Sequence, residues 1–344
     1  MGVNGVVKKR ATVVVETEAN GHDTDEGSEQ EEDGGDGDEA DLLEDYPDDT
    51  EEIELINSRL NNIQNLRLPR FGPYLKKLCL RQNQISHLDP TIFNELRELL
   101  ELDLYDNKIK HAGEALDNLT NLSTLDFSFN LLRSVPESLL YLTSLRTVYF
   151  VQNRISKISG LQNLGSSLRS LEFGGNRIRK VENLDALVNL EELWLGKNKI
   201  TKLEGLLTLK KLKILSIQSN RITKIEGLES LESLEEFYIS HNGVERLEGL
   251  ENNKKLRTLD VGNNYIKRIE NISHLTELEE VWASGNKIET LADLEPQLTH
   301  LPSLETVYLE GNPVQRSEGS AYRRKIMLAL PQVKQIDATY VKQS

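Results

Sequence analysis

Aromatic rings and carboxylates recur at one fixed position through most of this 344-residue chain. They are Asp103, Asp126, Tyr149, Glu172, Trp194, Tyr238, Asp260, Trp282 and Tyr308, with Cys79 and Ser216 at the same position. Two chemistries use such groups. A pair of carboxylates supports general acid–base catalysis when a cleft desolvates one of them. Rings interleaved with carboxylates instead grip a protein partner, the rings as buried anchors and the acids as selectors of Arg or Lys. The spacing favours the second, because successive members lie 22 to 26 residues apart and no acid pair shares a cleft. Other reactive patterns fail as well. No glycine-rich loop precedes Lys-Ser/Thr, no H-E-x-x-H or Cys/His cluster has metal-ligand spacing, and the six histidines are scattered. His241 falls in a turn, where a solvated ring is the simpler reading. No residue is nominated for catalysis, and no cofactor or metal is expected.

The elements that position this column follow from its frame, L-x-x-L-x-L-x-x-N-x-I. It reads LKKLCLRQNQI from Leu75, LEELWLGKNKI from Leu190, LEEVWASGNKI from Leu278 and LETVYLEGNPV from Leu304. A degenerate first copy, TEEIELINSRL from Thr50, has Ser58 in place of the asparagine. Twelve such copies are the signature of leucine-rich repeats. Alternation in L-x-L predicts one short strand per repeat with both leucines inward. The asparagines, Asn83 to Asn312, are placed to satisfy backbone groups as a ladder. After them, Ile200, Leu203, Leu206, Leu209 and Leu212 recur every third residue, which suits a 3₁₀-type return. Leu-Glu-Gly at 203–205 and 247–249 sharpens that turn. The expected fold is α/β: a right-handed solenoid of about twelve repeats with a parallel concave sheet and a C-terminal cap.

Strand alternation turns the x of L-x-L away from the core, so the column of rings and acids should line the concave face. Glu280, two residues before Trp282, shares that face. The rings could equally serve the sheet itself by stacking between adjacent strands. That reading leaves the interleaved acids without a purpose. From Asp126 to Tyr308 the column spans about 38 Å at the usual strand spacing, the width of a globular protein rather than a metabolite. RTVYF at 146–150 has the look of a phosphatase docking motif, yet its Val148 and Phe150 are core positions of the frame. A basic row, Lys157, Lys180, Lys202, Lys224, Arg246 and Arg268, is interleaved with Glu182, Glu204, Glu226, Glu248 and Glu270. It reads as a charge-mixed ridge, and no nucleic acid is expected there.

The net charge of −15 belongs mostly to one end. Residues 11–58 hold 20 of the 56 acidic residues and no Lys or Arg, while residues 59–344 carry 38 basic against 36 acidic. Residues 1–49 are expected to be a disordered acidic arm, too poor in apolar side chains to offset ordering entropy. Thr24, Ser28 and Thr50 precede acids and are candidate phosphorylation positions, and Lys8-Lys9-Arg10 is a weak nuclear-import signal. The solenoid is assigned to 50–314 and the cap, AYRRKIMLALPQVKQIDATY with its helix over Tyr322, Ile326 and Leu330, to 315–344. One cysteine and no signal-peptide or membrane-length apolar run point to a soluble intracellular protein.

The I-x-x-I/L-E-G-L turn, the acidic arm and the Y-x-x-K…L-P-x-V-x-x-I-D cap together resemble the leucine-rich-repeat regulatory subunits of protein phosphatase 1, the regulatory subunit 7 family. The resemblance covers residues from about 50 to 344. It implies a non-catalytic subunit that binds the catalytic subunit of protein phosphatase 1 through its concave face. It further implies that the phosphatase is held in a stored or maturing inactive state, in nucleus and cytoplasm, often with a third, inhibitory subunit. Matched repeat by repeat, Asp126, Glu172, Asp260, Glu280, Trp282 and Tyr308 stand where that family has the same residues. Tyr149 and Trp194 stand where some members have phenylalanine. The alternative is a generic leucine-rich-repeat interaction scaffold, for example in RNA processing, since the repeat itself is shared widely.

Overall fold

In the computed structural model, residues 10–13 and 42–341 are described. Among these described residues fifteen strands lie side by side in chain order, every pair parallel except the last. The repeat strands are three residues each, from Lys77–Cys79 to Thr306–Tyr308. A strand so short cannot stand alone, and each gains its stability from the neighbours that close its hydrogen bonds and cover its leucines. The middle residue of each triplet points inward, as with Leu171, Leu193 and Val281, all at most 1% exposed. The residue after each triplet is buried too, and Phe127, Phe150 and Phe173 stack there at centroid distances of 6.2 and 5.2 Å. Val148 and Phe150 of RTVYF are fully buried, so those two residues are not available to a docking partner.

The asparagine ladder forms as its spacing implies. Asn264 shows the pattern: its Oδ1 accepts the Val244 N–H of the preceding repeat at 3.0 Å. Its Nδ2 donates to Ile239 O at 3.1 Å and Val261 O at 2.9 Å. One amide thus satisfies backbone groups of two repeats where the sheet bends into the turn. The residue before each asparagine takes a left-handed conformation, including the non-glycines Phe129, Lys197 and His241. The returns are built from i→i+3 bonds, Leu209 N to Leu206 O and Leu212 N to Leu209 O, both at 3.0 Å. Period-three leucines therefore mark 3₁₀-type turns here, as the sequence suggested.

Gly227 shows why the Leu/Ile-Glu-Gly turn needs its glycine. Its φ is +71°, and a Cβ there would meet Leu203 O at 2.7 Å. Gly227→Val adds left-handed strain of about 1–2 kcal/mol to that clash. The expected outcome is a loss of at least about 2 kcal/mol, read from a denaturant melt. A variant as stable as the parent would mean that the turn relaxes freely.

Both ends depart in detail from the expected boundaries. Leu43, placed in the arm by composition, is fully buried in the core cluster, and Arg70 pairs with Asp48 at 3.1 Å. The ordered body thus begins before residue 50, because an open solenoid end needs apolar cover and local charge cannot cancel that need. Within the arm, Arg10–Val13 also forms a strand, parallel to Glu52–Leu55. The rest of the expected disordered stretch, 1–9 and 14–41, lies outside the described residues, as do Thr24 and Ser28. Thr50 is 1% exposed and bonds Pro47 O, so it is no surface acceptor. At the other end Pro313–Glu318 and Tyr322–Ala329 are helical, and Tyr322, Ile326 and Leu330 are buried as expected. Gln335–Ile336 then adds a strand beside Thr306–Tyr308. Asp337 stands in for the backbone carbonyl of a further strand, its Oδ1 accepting Leu309 N at 2.8 Å and Glu310 N at 2.9 Å.

Candidate protein-binding face

The third residue of every triplet pairs laterally with the third residue of the next. The register runs Glu54, Cys79, Asp103, Asp126, Tyr149, Glu172, Trp194, Ser216, Tyr238, Asp260, Trp282, Tyr308 without a slip. All the nominated residues but Glu280 therefore form one row across the sheet's exposed face, and Glu280 stands in the neighbouring row, opposite Thr258 and Thr306. Asp126, Tyr149, Glu172, Trp194, Glu280, Trp282 and Tyr308 are half-buried. The face is consequently not a set of side chains standing free in water. It is a surface already assembled by its own side-chain contacts.

Ring spacing explains how. Strands two apart are separated by about 9.6 Å, yet the Trp194 and Tyr238 centroids are 6.4 Å apart and those of Tyr238 and Trp282 6.1 Å. The rings lean toward each other over the smaller residue between them. Ser216 and Asp260 are those residues, only 3% and 6% exposed. Trp282 also meets the edge of Tyr308 at 6.1 Å. Two of the leaning rings are pinned from their own strand: Tyr238 Oη donates to Glu236 Oε2 at 2.6 Å, and Trp282 Nε1 to Glu280 Oε2 at 2.8 Å. Burial, then the Glu236 carboxylate, pushes the Tyr238 phenol well above its usual range. Ring contacts thus link alternate strands from Trp194 to Trp282, with Tyr238 as the middle member, and adjacent strands at Trp282 and Tyr308. Sequence reasoning placed Tyr238 in the column but did not nominate it. The large–small alternation from Trp194 to Trp282 was the available signal.

Asp260 differs from its expected outward role. Its Oδ2 accepts from Ser240 Oγ at 2.6 Å and Gln218 Nε2 at 2.9 Å, and its Oδ1 from Gly262 N at 3.0 Å. With both oxygens engaged beneath the rings, Asp260 organises the face from below. Beside it lies a shallow pocket of about 370 Å³, walled by Trp282 and Tyr308 and lined by Ser240, His241 and Ser284. The Ser284 hydroxyl is buried there without a hydrogen-bond partner. From the cap, Gln335 Nε2 donates to Tyr308 Oη at 2.6 Å and fixes that wall.

Further along the row, Asp126 and Glu172 flank Tyr149. Burial, opposed by hydrogen bonds from Ser128, raises the Asp126 carboxyl, and repulsion from Asp103 adds to it. Burial and then Asp126 raise Glu172, and burial followed by these two acids raises Tyr149. An incoming cation would relieve this repulsion. For the free protein the sign follows directly. The Glu172 value in the folded state lies above the ordinary 4.5, so stability favoured by the neutral form is complete below 4.5 and lost as pH rises through the raised folded value. Glu172→Gln should therefore raise Tm at pH 7 by about 1–2 °C and leave it unchanged at pH 3.5. Scanning calorimetry at both pH values checks this; an equal gain at the two would mean that the folded state does not disfavour the Glu172 charge.

Near the sheet's start, burial pushes the Cys79 thiol up to about 11, which favours the protonated thiol at neutral pH. From Lys180 to Arg268 the basic row is paired with acids, partly across repeats: Lys202 pairs with Glu226 at 3.8 Å and Arg246 with Glu270 at 3.0 Å. Among the described residues no group of His, Cys, Asp and Glu is placed to hold a metal ion. No helix among them is long and apolar enough to cross a membrane.

Sheet order, ladder and returns define a leucine-rich-repeat protein, and the chain belongs to that class. Models of leucine-rich repeats match residues 229–344, 73–132 and 188–244, and a two-copy repeat model matches 166–208. A leucine-rich-repeat protein of Leptospira interrogans superposes with a TM-score of 0.66 at 23% identity, covering 84% of each chain. An internalin of Listeria monocytogenes gives 0.65 at 23% identity, over 84% of this chain and 86% of that one. Among sequence relatives, protein phosphatase 1 regulatory subunit 7 of Xenopus tropicalis is 61% identical over 51 residues, 15% of this chain and 14% of that protein. Protein phosphatase 1 regulatory subunit SDS22 of Schizosaccharomyces pombe is 51% identical over 49 residues, 14% of this chain and 15% of that protein. The curated relatives are thus regulatory subunits of protein phosphatase 1, the family the sequence resembles, and the match spans about one seventh of their length.

Proposed function

We propose that this chain is a non-catalytic regulatory subunit that binds the catalytic subunit of protein phosphatase 1 through the row from Asp126 to Tyr308, and so controls its activity, maturation or storage in nucleus and cytoplasm. The observation that carries the reading is the pre-assembled ring stack Trp194–Tyr238–Trp282–Tyr308, with Glu280 bonded to the indole. Rings already locked by their neighbours lose little freedom on binding, so their burial converts efficiently into affinity. The unpartnered Ser284 hydroxyl and the apolar walls of the adjacent pocket suit an inserted side chain of the partner. The acids Asp126, Glu172 and Glu280 suit its Arg or Lys residues. The relatives' names support the choice of phosphatase, and a third, inhibitory subunit belongs to the same reading.

Calorimetric titration of the full chain with purified protein phosphatase 1 catalytic subunit tests it. A saturable one-to-one isotherm that weakens as pH falls through the acids' raised range is expected, since protonation removes the charge a cationic partner reads. Absence of binding, together with recovery of ribonucleoprotein in a pull-down, would favour the scaffold reading instead.

A further inference from the structure

Phe129 stands where no other repeat has an apolar side chain. It precedes the ladder residue Asn130 with a left-handed φ of +56°. At the same place the other repeats carry a polar residue or glycine, as with Gln152, Gly175, Lys197 and Ser219. A bulky side chain is disfavoured in that backbone conformation, and Phe129 is 43% exposed, so core burial does not account for it. The ring is held in place all the same. Its centroid lies 4.9 Å from that of Tyr105, whose ring the Arg81 guanidinium covers at 4.2 Å. Arg81 is fixed in turn by Asp103 at 3.1 Å. A costly conformation that presents a supported ring to solvent is the mark of a contact residue.

Beside Phe129 a groove of about 380 Å³ opens. In strand order Phe129 and Val151 come before it and Trp194 after it, with Gly174 between them. The backbone does not demand glycine at 174: its φ is not left-handed, and an added Cβ would meet nothing nearer than Glu172 Oε1 at 3.5 Å. Val151 holds the same place in the frame one repeat earlier. The missing side chain keeps the groove open and lets another backbone come close. Over this floor the half-buried Glu172 carboxylate has no hydrogen-bond or ion-pair partner among the described residues, Lys197 at the groove's rim included. Its charge calls for a cation, and the Trp194 indole suits one too. We propose that Phe129 and this groove are a further part of the phosphatase-binding face. They take an extended segment of the catalytic subunit that packs on the Phe129 ring and directs a Lys or Arg to Glu172. The inference rests on the function proposed above and adds Phe129 and Gly174 to the residues that decide binding.

The test titrates purified protein phosphatase 1 catalytic subunit into the full-length chain and into Phe129→Asn, Gly174→Val and Glu172→Gln. Asparagine suits the left-handed backbone and valine copies Val151, so the first two variants should melt within about 2 °C of the parent. Each should nevertheless bind at least about tenfold more weakly. Glu172→Gln should also bind more weakly, with a shallower dependence of affinity on salt. Parental affinity in both Phe129→Asn and Gly174→Val, with the parent binding, would overturn this inference and leave the proposed function standing. A parent that does not bind would end both. Variants that melt far below the parent would show Phe129 and Gly174 to be structural and overturn the inference likewise. An unchanged salt dependence in Glu172→Gln would remove the cation from it.

Discussion

Replacing Trp282 by alanine should weaken binding to the phosphatase by roughly thirty- to a thousand-fold, about 2–4 kcal/mol, with the solenoid still folded. Val281 and Ala283 supply the core contacts of this strand, both at most 1% exposed. The indole instead touches Tyr238, Tyr308 and Glu280 on the outer face. Removing it therefore loosens three neighbours as well as deleting an anchor, which places the effect toward the upper end. Some stability goes too, about 0.5–1.5 kcal/mol for each lost ring pair, visible as a modest drop in the melt. Glu280→Ala should weaken binding less, through a freed indole and a lost carboxylate. Ser216→Ala is the comparison: the serine lies under the rings, and its loss should change affinity little. Circular dichroism melts and calorimetric titration decide the matter. An unfolded Trp282→Ala would show the indole to be core, and a folded variant with parental affinity would remove the row as the site.

Truncation before Tyr322 should have the largest effect on the fold. It deletes the buried side chains of Tyr322, Ile326, Leu330, Val333 and Ile336, each worth about 1.5–3 kcal/mol of burial. Together they rival the whole net stability of an ordinary domain. It also strands the Leu309 and Glu310 amides that Asp337 satisfies and opens the Thr306–Tyr308 edge to solvent. Unfolding should start there and consume the last repeats, with aggregation through the bared strand. Size-exclusion chromatography and hydrogen exchange report it. A monomeric truncation that melts at the parental temperature would show that the cap is dispensable.

What the sequence revealed depended on period. Leucines at L-x-L, the asparagines and the Leu-Glu-Gly glycines each impose a local demand that any solenoid must meet, so strand placement, ladder and returns were legible from Leu75 onward. Side-chain direction was legible for the same reason, since alternation alone turns Trp282 outward. What period cannot show is contact between residues two repeats apart. The lean of Trp194, Tyr238 and Trp282 over Ser216 and Asp260 depends on ring size at every second position. A single-column reading therefore treated Asp260 as exposed and passed over Tyr238. The N-terminal end failed for a different reason. Composition averages over a stretch, and the average hid Leu43, one side chain that closes the core.

The alternation gives the face a parity. An odd repeat carries a ring and an even one a residue small enough to lie beneath it, so the working unit of Trp194, Ser216, Tyr238, Asp260 and Trp282 is two repeats long. Inserting or excising one repeat within it would leave the leucine core and the asparagine ladder intact while setting ring against ring or gap against gap. Lineages that lengthen or shorten this part of the array should therefore do so by 44 residues at a time. A chain altered by a single repeat would keep its fold and lose the ring stack.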